Sequence, residues 1–288
     1  MNTIWLDLVG AETHYVGTRF RTRAIEAGSG EPLVLLHGVG GHAEAYSRNV
    51  IRLSRHCRPM AIDLAWHGLS SKPPFADPMP VYCEQLLDLM SSLELDRISI
   101  EGESMGGHVA MYFALHHPER VNKLILNTAA GVRYDEGTVH VERDKGIDLL
   151  RQRSLDAVGN PTEETIRKRL EWLMASPDRV TDELVALRQA IYSEPETRSA
   201  LTAVFNFTLG SPESAKYLLT PADLANLKAP TLVLWSDKNP GSGENVGRRL
   251  SKLIPGAEFY CMADAAHWPQ WEHPEEHDEH VLEFLLRS

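Results

Sequence analysis

Ser104 stands in Gly102-Glu103-Ser104-Met105-Gly106-Gly107, after the apolar run 97–100 (RISI) and before the helical pattern 105–116. Strand, tight turn and helix are the setting of a nucleophile elbow, G-x-S-x-G. A serine on so sharp a turn takes a strained backbone, and its neighbours two residues away must be small. Gly102 and Gly106 fill those places. The helix that follows points free N–H groups and the positive end of its dipole at the hydroxyl. A second stretch, His37-Gly38-Val39-Gly40-Gly41, leaves the apolar run 32–36 (PLVLL). Such a loop supplies one backbone N–H to an oxyanion, and the residue after the nucleophile supplies the other. The candidates are Val39 and Met105. A third stretch, Ala265-Ala266-His267-Trp268, lies between the last strand pattern and the last helix pattern. A general base for Ser104 must come from such a loop. Together these residues suit nucleophilic attack on a carbonyl carbon.

The elements that position them read as an α/β pattern. Runs 32–36 (PLVLL), 59–64 (PMAIDL), 97–100 (RISI) and 123–126 (KLIL) are continuously apolar. That suits parallel strands buried on both faces. Helical patterns at 81–93 and 105–116 alternate with them, which predicts a mostly parallel, doubly wound sheet. Residues 13–26 predict an antiparallel hairpin on one edge. From Asp135 to about Pro221 the pattern is helix after helix, with Thr162 and Thr181 as N-caps. Strand patterns resume at 231–235 (TLVLW) and 257–260 (AEFY), and 275–286 closes the chain as a helix. The expected organisation is a core of 1–132 and 221–288 with a helical lid, 133–220, inserted into it.

Composition excludes several classes. The chain has 288 residues, a formal net charge of -11, and 43% hydrophobic residues. Such acidity disfavours nucleic acid and anionic membranes as partners. Cys57, Cys83 and Cys261 form no CxxC pair, so neither a disulfide framework nor a thiolate zinc site is expected. His273, His277 and His280 share a helical spacing, but their acidic helix reads as an ordinary one, and no metal is assigned. No signal peptide or membrane span is visible, and a cytoplasmic protein is expected.

The chain resembles the meta-cleavage-product hydrolases of the α/β-hydrolase superfamily, along nearly its whole length. HGVGG, ESMGG, TDELVALRQAI and HWPQWEHPEE carry the resemblance. It implies the α/β-hydrolase fold, no cofactor, a homodimer or larger assembly, and a small-molecule substrate. It also implies hydrolysis of a C–C bond in a vinylogous 1,5-diketone left by aromatic ring opening. His267 then shuttles protons while the dienol becomes a ketone, and Ser104 attacks or aids water. Arg188 is placed near the substrate carboxylate, Trp268 at the pocket wall, and Gly38 beside the substrate.

Three positions depart from the family. The acid usually lies four residues after the strand-ending tryptophan, and Trp235 plus four is Asn239. Asn239 can orient His267 as a neutral acceptor, Asp237 can swing in as the acid, or an aspartate has been changed at 239. Glu103 stands where the family has asparagine. Ala45 stands near a usual polar position after the glycine loop. These departures keep a carboxylesterase or lactonase open, and also a weakly active ligand-binding member of the fold.

Overall fold

The computed structural model describes residues 3–134 and 138–287, the side chains of 138–145 excepted. Residues 135–137, where the sequence reading starts its helical run, lie outside them. Eight strands of the described residues form one sheet: β1 Glu12–Val16, β2 Thr22–Glu26, β3 Pro32–Leu36, β4 Arg58–Ile62, β5 Ile98–Glu103, β6 Val121–Asn127, β7 Thr231–Ser236 and β8 Glu258–Met262. Their order is β1-β2-β4-β3-β5-β6-β7-β8. The pairs from β4 and β3 to β8 are parallel; β1 and β2 form an antiparallel hairpin at the edge. Every residue of β5 and β7 is buried, as their apolar runs require.

Among the described residues, twelve helices accompany the strands: α1 Ile4–Asp7, α2 Ser47–Leu53, α3 Pro78–Ser92, α4 Met105–His116, α5 Thr138–Gly159, α6 Glu163–Glu171, α7 Asp182–Ser193, α8 Pro195–Gly210, α9 Pro221–Leu224, α10 Glu244–Leu253, α11 Pro269–Glu272 and α12 Pro274–Leu286. α3 starts three residues before its apolar period because Pro78 and Pro80 suit a helix's first turn. α5 to α8 all lie between β6 and β7, and a bridge pairing Val132 with Leu219 joins the two ends of that stretch. Thr162 accepts from Thr165 N–H, and Thr181 from Leu184 N–H, so each opens its helix with a side-chain cap.

The C-terminal helix is tied to the strand that carries Ser104. His277 is fully buried, with Nε2 2.8 Å from Glu101 of β5 and Nδ1 3.0 Å from Asp278. Asn127 of β6 donates to Glu101 at 3.2 Å, and Asn49 donates to Asp278 at 2.8 Å. Burial disfavours the imidazolium, but Glu101 and then Asp278 outweigh it and lift His277 to about 10. This histidine is thus committed to two carboxylates. His273 meets the carbonyl of Asp264, and His280 lies on the Tyr260 ring. Among the described residues no cluster is arranged to hold a metal.

His277→Ala should destabilise the protein by roughly 3–5 kcal/mol in urea denaturation, because buried Glu101 loses its counter-charge and Asp278 keeps only Arg52. The pH dependence has a definite sign. A raised folded-state value means the stabilisation is complete below about 6.5, the unfolded value. It is lost as pH rises through about 10. The wild type should therefore lose stability over that window, and the variant should lack this part of the decline.

Candidate active site

Ser104 has φ 53° and ψ −115°, between the end of β5 and the start of α4. A non-glycine residue there is strained, and the surroundings must hold it. They do so through backbone: Ser104 N–H donates to Asn127 O at 3.1 Å, and Ser104 O accepts from Ala130 N–H at 3.0 Å. The ends of three parallel strands crowd the turn. A Cβ on Gly106 would lie 2.2 Å from Leu36 O, so only glycine fits.

The loop after β3 is held from both sides. His37 Nε2 accepts from Leu64 N–H at 3.1 Å. Tyr192 of α7 donates to Gly40 O at 2.7 Å, and Arg169 of α6 donates to Val39 O at 3.3 Å. Gly40 has φ +72°, and any Cβ would strike Tyr192 and Phe205. Val39 and Met105 both line the cavity at Ser104, and among the described residues neither N–H is used in a loop hydrogen bond. Gly38 N–H is already taken, donating to Glu103 Oε2 at 2.6 Å.

His267 arrives on the loop between β8 and α11. Its N–H donates to Leu173 O at 2.9 Å, and its carbonyl accepts from Thr128 Oγ1 at 2.9 Å. Its Nδ1 lies 2.7 Å from Asn239 Oδ1. Of the two residues weighed for this partner, Asn239 is buried against the imidazole. Asp237 is exposed, and its Oδ1 accepts from Ala265 N–H at 3.3 Å. The other ring nitrogen, Nε2, lies 3.1 Å from Glu103 Oε1. Burial, and then the charge of Arg169, hold His267 down to about 3. Burial pushes Glu103 up to about 8.

Two guanidiniums complete the site. Arg188 of α7 is 1% exposed, and its Nε and Nη2 have no hydrogen-bond partner. Its guanidinium carbon lies 5.1 Å from the centre of the Trp268 ring. Arg169 is 2% exposed; its Nε donates to Ser154 at 2.9 Å, while Nη1 has no partner. Burial lowers both, Arg169 to about 10. Both face a recess of about 10 Å³ with Glu103, His267 and Trp268 on its wall. On the other side of Ser104 opens a cavity of about 160 Å³, lined by Met79, Met105, Leu150, Trp172, Phe207 and Leu218 among others. The serine and the histidine thus stand between a small cationic recess and a large apolar chamber.

A family model for the alpha/beta hydrolase fold matches residues 31–274. The chain is also 32% identical, over 276 residues, to the 2-hydroxy-6-oxononadienedioate/2-hydroxy-6-oxononatrienedioate hydrolase of Paraburkholderia phymatum, covering 93% of this chain and 92% of that protein. The chain belongs to the alpha/beta hydrolase fold family. Within that family it is a hydrolase of the meta-cleavage-product branch. The counterpart with the same printed name in Burkholderia vietnamiensis is 31% identical over 277 residues, 94% of this chain and 93% of that protein. Among solved structures, the 2-hydroxy-6-oxo-6-phenylhexa-2,4-dienoate hydrolase of Rhodococcus superposes with TM-score 0.83 at 23% identity, covering 96% of this chain and 99% of that one. At that identity the likeness speaks for the fold alone.

The sequence reading of this hydrolase missed Arg169 and the contact between Glu103 and His267. Arg169 had a signal. It lies between Ile166 and Leu170 on the buried side of α6, where a charge needs a reason. The contact between Glu103 and His267 had none, because it joins β5 to a loop far along the chain.

Proposed function

We propose that this hydrolase adds water across a C–C bond of a ring-opened aromatic metabolite, a vinylogous 1,5-diketone bearing a carboxylate. The observation that carries the reading is the division of the site at Ser104. A carboxylate suits the buried guanidiniums of Arg188 and Arg169, which offer unpartnered N–H groups. An apolar tail suits the chamber of about 160 Å³. The bond to be broken then lies at the junction, beside Ser104 and His267.

The chemistry follows from that placement. His267 moves the dienol O–H proton to carbon, and the remote carbonyl becomes an isolated ketone. Ser104, or water held by it, attacks that carbon. Val39 and Met105 N–H groups receive the developing oxyanion. Cleavage expels a stabilised enol, which is why the bond breaks. Asn239 orients the imidazole, Trp268 walls the carboxylate end, and Gly38 and Glu103 border it. The helices between β6 and β7 act as a lid, the inserted 133–220 segment.

A carboxylesterase or lactonase is the second reading. The recess favours it, since about 10 Å³ is room for roughly one water until side chains move. The resemblance further supports a cytoplasmic homodimer or larger assembly, which sedimentation velocity tests. Among the described residues no helix is long and apolar enough to cross a membrane.

The deciding assay follows the visible absorbance of a yellow 2-hydroxy-6-oxo-dienoate, with p-nitrophenyl acetate in parallel. Rapid bleaching is expected. Ester turnover alone would give the lead to the second reading, and inertness toward both would leave a ligand-binding member.

A further inference from the structure

His267 carries an unusual pair of neighbours. On Nδ1 sits a neutral amide, Asn239, at 2.7 Å. On Nε2 sits a carboxylate, Glu103, at 3.1 Å. An amide can accept the imidazole's N–H but cannot balance an imidazolium's charge. It can also turn and donate, so it does not fix the tautomer. The site around this imidazole is hostile to positive charge. It is half-buried, and Arg169 and Arg188 both face it across a recess with almost no room for water. Burial, and then the charge of Arg169, hold this imidazole down to about 3.

Glu103 supplies what Asn239 lacks. Its side chain is 1% exposed. Oε2 is anchored by the Gly38 N–H at 2.6 Å, which aims Oε1 at Nε2. Oε1 is buried and has no well-aligned hydrogen bond, and the groups nearest this carboxylate besides Gly38 are the His267 imidazole and the Trp268 side chain. The groups that face this carboxylate come from every wall. They are Gly38 N–H after β3, Tyr46 beyond it, Arg169 from α6, Arg188 from α7, and His267 with Trp268 after β8.

We propose that Glu103, the residue before the nucleophile, is the charge partner of His267: the imidazole keeps its own proton on Nδ1 toward Asn239, Glu103 is ionised, and the proton that the pair takes up is held between Oε1 and Nε2. The base is then the pair. Taking a proton from Ser104, from water or from the substrate's enol leads from one negative charge to none. It does not create a bare cation beside two arginines. Returning the proton to the substrate restores the starting charge, so nothing beyond substrate and water is consumed. Burial pushes Glu103 up to about 8, near the working range of a general base. Glu103 is a positioning residue, since it acts through His267.

The inference rests on His267 serving as the base, not on which substrate is cleaved. The test therefore reads Ser104 directly. Labelling by a fluorophosphonate is followed against pH in the wild type, Glu103→Gln, Glu103→Asp, Asn239→Asp and the double variant Glu103→Gln/Asn239→Asp. Dienoate turnover runs alongside. Glutamine keeps an oxygen for Gly38 N–H, and melting curves confirm folding. Glu103→Gln should slow labelling by about a hundredfold and move the pH profile. Glu103→Asp should restore part of the rate. Asn239→Asp should recover at least about tenfold in the Glu103→Gln background, well beyond its gain in the wild type. Equal gains in both backgrounds, an unmoved pH profile in Glu103→Gln, or a wild type whose Ser104 is inert would each overturn the proposal. Fast labelling without dienoate cleavage would sink the proposed substrate and leave the charge partner standing.

Discussion

Ser104→Ala is expected to lower turnover of the ring-opened dienoate by roughly 10³-fold or more, with little loss of fold. The hydroxyl lines the chamber at the boundary of the two lobes, and among the described residues it makes no hydrogen bond. Its removal therefore costs little packing. The backbone bonds that hold φ 53° remain, since alanine keeps the same N–H and C=O. The oxyanion N–H groups also remain, so residual activity above water is expected. Stopped-flow absorbance separates the steps. Ketonisation needs His267 and should survive, while cleavage should stall. A loss below about tenfold would mean that water attacks without the serine's oxygen as nucleophile, leaving Ser104 as a polar guide.

Arg188→Met should raise KM for the dienoate by about 10²- to 10³-fold, while a neutral ester such as p-nitrophenyl acetate loses far less. A fully buried guanidinium with Nε and Nη2 unpartnered opposes folding. Methionine fills a similar volume without that penalty. The variant should thus melt at a higher temperature than the wild type as it loses the acid substrate. Gain in stability with loss of specificity marks a group held for its ligand. A lower melting temperature, with both substrates equally impaired, would instead mark Arg188 as a structural strut. Arg169 keeps its Nη1 unpartnered in the recess, so some carboxylate affinity should persist.

Much of the architecture is readable from local pattern. The central strands β3, β5 and β7 are buried almost throughout, and the sequence shows them as apolar runs. The elbow at 102–106 is equally local, because steric crowding at a strand-to-helix turn restricts the residues beside the nucleophile. Thr162 and Thr181 announce their helices because capping is settled within one turn. The register from Trp235 brings Asn239 to His267, because a strand end and a short loop leave little freedom in where residue 239 lies.

What lies beyond local pattern depends on the helices packed over the sheet. Glu103 and Asn239 stand in the sequence as two unrelated departures from the family. In the structure they are the two neighbours of one imidazole, on opposite nitrogens. Arg169 reads as one charge in a charged helix, yet it lies 2% exposed beside Arg188 and Glu103. By itself, the sequence determined the sheet, the strained serine, the histidine behind it and the amide in the acid's place, since each follows from residues adjacent in the chain. Only the tertiary structure decided which carboxylate faces the base and where the two arginines converge. Those contacts join β5, α6, α7 and the loop after β8, and burial makes their charges depend on one another.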